Sequence, residues 1–507
     1  MGLALRVYGL GSQSLWVDEA YSVKYANLDA SLQWEHLFEN LHGPLHAALL
    51  HGWTRVAGLS EAALRWPSVL ASVLTLAALW ILVRRWGGER LAWVATAALA
   101  VSPLSVWYAQ EARNYSLFLL FVCLGLWSWL RAVEAPSSIR AWGLHVLALF
   151  LAFLSNLAAA FLLPVQALWL LGGRRRAWAG TVAAWAAVAL LLLPWEIRFY
   201  RYRVVPATNV PSAAPAGVEP GRDGTWASLW GVPFTFYAFA GGTSLGPSLR
   251  ELHGDRAEAL RRHGPVLAAS VLLFGALAIR GLLGPAVADR RRKLQLLAWL
   301  LVPPLTVWLV AVLKLKAVNP RYAMAAYPAF LVLLAAGWIG LRRKWMRWGA
   351  LALVLAAWGL AWGRTHWHPD YQKENYRAAA AWLVERAAPG VLWITVGVDD
   401  PLRIYYLKDL FEGRALKEGT YRRLGSYPRS RWDLFWEENA LLADLHDRVL
   451  LVESRAWDLD PEARGPALLE SRCGRPEEKR WNGVRVLSCP SPAQRGGSDG
   501  EERSDGE

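Results

Sequence analysis

The run AWGLHVLALFLAFLSNLAAAFLLPVQALWLLGG, Ala141–Gly173, has 33 residues and no Asp, Glu, Lys or Arg. As one helix it would be roughly 50 Å long at 1.5 Å per residue. A bilayer core is about 30 Å thick, and about 20 apolar residues cross it. The run is therefore read as two short crossings with a turn near Ser155–Asn156. Outward from it, further uncharged runs recur at Trp66–Val83, Leu91–Gln110, Asn114–Leu130, Ala177–Trp195, Leu294–Leu313, Tyr322–Gly340 and Trp348–Gly363. Pro265–Ala288 carries only Arg280. The expectation is an all-α polytopic membrane domain of about ten spans. Basic clusters test that count. They stand at Arg84, Arg85 and Arg90; at Arg131 and Arg140; at Arg174–Arg176; at Arg290–Lys293; and at Arg342–Lys344 with Arg347. With ten spans all five fall on one side, which the positive-inside tendency makes the cytoplasm. The segment before Trp66, the loop Arg198–His263 and the tail after Arg364 then lie outside.

Composition agrees. The chain has 507 residues, 55% hydrophobic and only 19% charged, with 31 Trp and a mean hydropathy of +0.21. A soluble domain carries about 25% charge, and Trp concentrates at membrane interfaces. The net charge of +14 suits cytoplasmic loops, anionic lipid or a phosphorylated substrate. Three Cys exclude a disulfide scaffold.

Four regions are expected. Residues 1–65 hold a truncated first helix, an outer loop and membrane-surface helices. Met1–Leu10 reads as the last turns of a helix cut short by the start site, the alternative being a protein that lacks this helix, and Pro44–Leu59 as an outer, membrane-surface or re-entrant helix. Residues 66–363 form the transmembrane domain, with outer loop 198–263. Residues 364–490 form a small extracytoplasmic α/β domain. In it, helices are expected at Tyr371–Ala388 and Pro461–Arg472, and strands at Val391–Val398, Arg448–Val452 and Gly483–Ser488. For Cys473 and Cys489, a disulfide and two free thiols both remain open. Cys123 reads as a packing residue. The Gly/Ser-rich acidic tail 491–507 reads as disordered.

Chemistry concentrates in outer segments. In Ser14–Tyr21 (SLWVDEAY), Asp18 and Glu19 are adjacent carboxylates at a bilayer edge. One of them fits a general base or a cation ligand; an exposed helix-capping pair is the alternative. Ser102–Tyr115 carries Glu111, Arg113 and Tyr115 between two spans. Arginine is shaped for bidentate phosphate contact, and also anchors helices at headgroups. Lys314–Tyr322 is a basic outer loop with Lys316, Arg321 and Tyr322, suited to an anion or simply solvated. His42, His46 and His51 share one stretch, but nothing nearby completes a zinc site. Phosphate-loop, dinucleotide and metalloprotease motifs are absent, as is the Gly-Xaa-Ser-Xaa-Gly elbow.

Taken in order, these motifs resemble GT-C membrane glycosyltransferases. Ser14–Tyr21 is similar to their first-loop Asp-Glu motif. His42-Gly43-Pro44-Leu45-His46, Leu64–Ser68, Ser102–Tyr115, Gly241–Ser248 with Glu251–His253, Arg321-Tyr322 with Pro328, and Tyr371–Arg377 follow in the order of a bacterial subgroup. That subgroup resembles the dolichyl-phosphate-mannose-protein mannosyltransferases and the aminoarabinose transferase of lipid A (glycosyltransferase family 39-like). The resemblance covers about residues 5–410. It departs at the first helix, which is almost absent here, and at Gly43-Pro44, where the family more often has two prolines.

The resemblance implies sugar transfer from a polyprenyl-phosphate donor to a cell-envelope lipid, glycan or protein, with inversion. It places the enzyme in the cytoplasmic membrane with an extracytoplasmic active site. A donor whose tail lies in lipid requires a site at the outer rim. Asp18 would be the base and Glu19 would orient it. Arg113 and Arg321 would hold the lipid phosphate, with Lys24 and Lys316 as weaker candidates. Glu111, Tyr115 and Tyr322 belong to the same substrate-binding set, and His42 and His46 would line the cavity. Some relatives use a divalent metal and others do not, so a metal at Asp18 and Glu111 stays open. No nucleic-acid partner is expected. The competing readings are a lipid-linked sugar transporter and a non-catalytic homologue that binds lipid carriers.

Overall fold

A computed structural model describes residues 1–27, 43–199, 230–253, 255–287, 289–313, 318–386, 388, 390–412, 421–424, 431–455, 460 and 462–490. His42, Lys314, Lys316 and the tail 491–507 lie outside these. The chain forms two compact units. One comprises Met1–Leu10 with Tyr25–Tyr371; the other comprises Gly11–Lys24 with Gln372–Glu507.

The first unit is helical. Its helices are α1 (Gly2–Val7), then after α2 (Val17–Ala26), α3 (Leu45–Ala57), α4 (Glu61–Gly87), α5 (Glu89–Val101), α6 (Pro103–Ala109), α7 (Tyr115–Glu134), α8 (Ile139–Ser155), α9 (Leu162–Trp169) and α10 (Arg175–Phe199). There follow α11 (Gly231–Gly241), α12 (Leu249–His253), α13 (Arg256–Arg262), α14 (Gly264–Leu283), α15 (Arg290–Val312), α16 (Tyr327–Gly340) and α17 (Lys344–Trp367). Seven helical stretches among the described residues are long and apolar enough to cross a membrane, or eight if the bent pair α5–α6 is one span. The remaining expected crossings are the halves of Ala141–Gly173. They form the shorter apolar helices Ile139–Ser155 and Leu157–Trp169. The break falls at Asn156, whose extended backbone ends α8 and whose Oδ1 accepts the Ala158 N–H at 3.0 Å. Local chemistry sets other ends. Ser60 caps α4, and Gly88 at φ 93° stops it. Asp289 caps α15 through the Arg292 N–H at 2.8 Å.

Packing explains part of the Trp content differently from the interfacial expectation. Trp129, Trp169 and Trp299 are fully buried. Trp169 meets Trp129 and Trp299 at centroid distances of 6.1 and 6.0 Å. Their N–H groups donate to Thr181 Oγ1, Gln295 O and Ala325 O, so these three buried donors are each satisfied. α14 and α16 approach closely. A Cβ on Gly337 would sit 1.9 Å from Leu277 O, and one on Gly281 2.1 Å from Leu333 O. Small residues are what allow helix backbones this near in a membrane.

The second unit is a five-stranded mixed sheet of order β2-β1-β3-β5-β4. Its strands are β1 (Val391–Gly397), β2 (Tyr421–Arg423), β3 (Arg448–Ser454), β4 (Glu477–Trp481) and β5 (Val484–Pro490). β1 pairs parallel with β2 and β3, and β5 pairs antiparallel with β3 and β4. Alternation along β1 splits the core between the two faces. Leu392, Ile394 and Val396 pack with Phe435, Trp436 and Leu469 from α20 (Trp432–Asp444) and α21 (Arg464–Cys473). Val391 and Trp393 pack with Tyr376, Leu383 and Leu402 on the face of α18 (Tyr376–Val384) and α19 (Lys408–Glu412). Cys473 and Cys489 are disulfide-bonded, with Cα atoms 5.9 Å apart. The helix expected from Tyr371 begins instead at Tyr376, because Asn375 Oδ1 caps it through the Ala378 N–H. The helix expected at Pro461–Arg472 is α21. Two strands were not foreseen, β2 and the charged edge strand β4.

Candidate active site

The acidic motif opens α2. Trp16 precedes the helix, so Asp18 and Glu19 fall in its first turn, where negative charge suits the helix dipole. Glu19 is fully buried. Its Oε2 accepts the Lys373 Nζ at 2.9 Å and the Trp16 N–H at 3.4 Å. Asp18 is half-exposed and Lys24, in the last turn, is exposed. Arg455 lies 6.0 Å from the Trp16 ring and binds Glu374 at 2.5 Å. Burial disfavours the Arg455 charge, but Glu374, Tyr376 and Asp18 raise its pKa overall. Burial, then the charge of Asp400, raises the Tyr21 phenol above its ordinary value.

In the first unit the second motif is built around a broken helix. Pro103 has no N–H to give the Leu99 carbonyl and interrupts the ladder, and α5 and α6 meet at a 59° bend. The fully buried Arg6 covers the freed carbonyls. It donates to Ala100 O at 2.8 Å and Leu99 O at 3.3 Å, and also to Ser72 Oγ and Ser105 Oγ at 2.8 and 2.7 Å. Tyr327 OH donates to Ser102 Oγ at 2.7 Å. Past the bend come Glu111 and Arg113, both buried. Ser68 Oγ donates to Arg113 O at 3.0 Å, and Asn114 Nδ2 to Ser155 O at 2.6 Å. Tyr115 is buried with its ring 4.8 Å from Tyr108.

His46, on α3, is buried. Burial and the charge of Arg113 push its pKa down to about 3, so it is a neutral imidazole beside a cation. His51 is engaged otherwise, its Nδ1 lying 2.6 Å from Ala26 O. Arg321 and Tyr322 are half-buried in the 3-10 turn Pro320–Ala326, which Asn319 opens by accepting the Arg321 N–H. The Arg321 guanidinium stands 5.4 Å from the Tyr322 ring. Among the described residues, no group of three or more His, Cys, Asp or Glu is arranged to hold a metal ion. Of the outer-loop aromatics, Trp230 is exposed and Phe234 stacks with Tyr237.

The motifs thus fall in different units: Asp18, Glu19 and Lys24 in the second, and His46, Glu111, Arg113, Tyr115, Arg321 and Tyr322 in the first. Sequence reasoning passed over Arg6, Lys373, Tyr406 and Arg455 as site-building residues. For Arg6 a signal existed, a single cation inside an otherwise apolar decapeptide.

The fold, a polytopic helical unit with a small α/β unit, is shared with solved structures. ArnT from Cupriavidus metallidurans, in its structure bound to undecaprenyl phosphate, shares the fold at 15% identity and a TM-score of 0.54, over 96% of both chains. The oligosaccharyltransferase AglB from Archaeoglobus fulgidus, in complex with an inhibitory peptide and a dolichol-phosphate, is similar at 12% identity and a TM-score of 0.50. That match covers 97% of this chain and 74% of that one. The family model of dolichyl-phosphate-mannose-protein mannosyltransferase matches residues 41–196. No curated protein matches the chain.

Proposed function

We propose that the chain transfers a sugar from a polyprenyl-phosphate donor to a cell-envelope lipid, glycan or protein at the outer face of the cytoplasmic membrane. The observation that carries this reading is the fold shared end to end with ArnT, whose structure holds undecaprenyl phosphate. AglB with its dolichol-phosphate and the mannosyltransferase family match over 41–196 support it. The outer location is supported by five basic clusters of one parity and by the Cys473–Cys489 bond, which persists in oxidising compartments.

On this reading the acceptor hydroxyl oxygen attacks the anomeric carbon. The bond from that carbon to the phosphate oxygen breaks, the lipid phosphate leaves with the electron pair, and the configuration inverts. Asp18 takes the hydroxyl proton. Its half-exposed carboxylate suits that task, while Glu19, neutralised by Lys373, keeps an orienting role. Arg113 and Arg321 stabilise the departing phosphate, with Lys24 and Lys316 as weaker contributors. Glu111, Tyr115, Tyr322 and His46 bind substrate, and His42, outside the described residues, belongs to the same set.

The experiment is transfer from radiolabelled polyprenyl-phosphate sugars in membranes holding wild type, Asp18→Asn or Arg113→Ala at equal protein level. Loss of about 100- to 10,000-fold in Asp18→Asn is the size expected for removing a general base. Equal transfer by wild type and Asp18→Asn would remove Asp18 from the chemistry.

A further inference from the structure

We propose that the C-terminal α/β unit is the clamp that orients the Asp18 segment, with Lys373 and Tyr406 as its positioning residues. This rests on the reading of Asp18 as the base.

Gly11–Lys24 is about 350 residues from its neighbours in the chain, yet it forms one compact unit with them. Hydrogen bonds between backbone groups and side chains join the two. Lys373 N–H donates to Gln13 Oε1 at 3.0 Å, and Arg377 N–H to Ser14 Oγ at 3.2 Å. Leu15 N–H donates to Tyr406 OH at 2.8 Å, and the Arg377 guanidinium to Gly11 O at 2.8 Å. A buried ion pair completes the set, with Glu19 fully buried and the Lys373 side chain 7% exposed. Stripping water from both charges is costly and is offset only where their geometry is held closely. Glu19 also reaches back to the Trp16 N–H, half of a capping box, so the same carboxylate ties the helix start to Lys373.

The rotation this imposes is the functional point. Successive residues on an α-helix are 100° apart, at 3.6 per turn. Fixing Glu19 inward on Lys373 therefore turns Asp18 toward the partly open side, where Arg455 supplies a positive charge that Glu374 holds in place.

The position of the clamp supports the assignment. Open α/β sheets bind ligands outside the carboxyl ends of their parallel strands. Tyr406 follows β1 and Arg455 follows β3, and Tyr21 is coupled to Asp400 just past β1. Those strand ends are locked together. Tyr376 OH bridges Val398 O at 3.0 Å and Ser454 Oγ at 2.7 Å, and a Cβ on Gly397 would lie 1.7 Å from Ser454 O. The place where such a sheet would bind a ligand is filled by the chain's own catalytic segment.

The test is amide hydrogen exchange over residues 15–24 in the full-length protein in detergent, with Lys373→Met, Lys373→Arg and Tyr406→Phe beside wild type. Kinetics of transfer from undecaprenyl-phosphate-linked radiolabelled sugars are measured in parallel. Exchange over 15–24 should rise at least about tenfold in Lys373→Met and Tyr406→Phe, with strands β1 and β3 unchanged. In Lys373→Met kcat should fall by up to about 100-fold with donor KM nearly constant, as for a misplaced catalytic group, and Lys373→Arg should recover most of it. Unchanged exchange over 15–24 in Tyr406→Phe and in Lys373→Met overturns the clamp, whatever Asp18→Asn does to transfer. Faster exchange together with full transfer by Asp18→Asn upholds the clamp and removes only the assignment of Asp18 as base.

Discussion

Arg6 and His46 show how single residues carry the first unit. The Arg6 guanidinium makes hydrogen bonds to three carbonyls and two serines while fully buried. Arg6→Leu should lower stability by about 1–3 kcal/mol, the cost of leaving buried carbonyls without a donor, read by thermal unfolding in detergent. His46 is neutral in the folded protein because burial and Arg113 lower its pKa from 6.5 to about 3. Between those values the unfolded chain binds a proton that the folded one does not. Stability assigned to His46 is therefore present above pH 6.5 and lost as pH falls toward 3. His46→Gln should flatten that part of the stability profile relative to wild type, and identical slopes would exclude it.

Among elements, the α14–α16 contact makes the sharpest prediction. Gly337→Ala puts a methyl group into the Leu277 carbonyl and should destabilise by about 1–3 kcal/mol, the cost of overpacking. Gly275→Ala, on α14 with open space around it, should be neutral or stabilising by up to about 1 kcal/mol from helix propensity. Melting of the two variants side by side separates close approach from propensity. The elements also show what a pattern can carry. The break at Asn156 was legible because 33 uncharged residues are too long for one crossing. β4 was not, because Glu477–Arg480 is a charged, exposed edge strand. Charge guards such an edge and erases the alternation that would betray it.

For the whole molecule, the disulfide adds a covalent tie to the second unit. Cys473 and Cys489 are 16 residues apart and join α21 to β5. A loop of that size corresponds to about 3 kcal/mol. Cys473→Ser with Cys489→Ser should weaken amide protection in β1, β3 and β5 accordingly, and exchange in α7 and α16 of the first unit should stay as in wild type. Equal protection with and without the bond would show that the sheet's two cores suffice alone.

The sequence by itself determined the membrane class, the positions of the apolar helices and the α/β character of the tail. Those follow from hydrophobic length, charge parity and local propensity, all of which act over a few to about thirty residues. The tertiary structure alone decided that Glu19 is neutralised by Lys373, that Arg6 fills the bend at Pro103, and that Gly11–Lys24 belongs with the C-terminal sheet. A buried ion pair or a capped carbonyl is a contact across hundreds of residues. It is specified by which surfaces lose water together when the chain folds, and no periodicity along the chain records that.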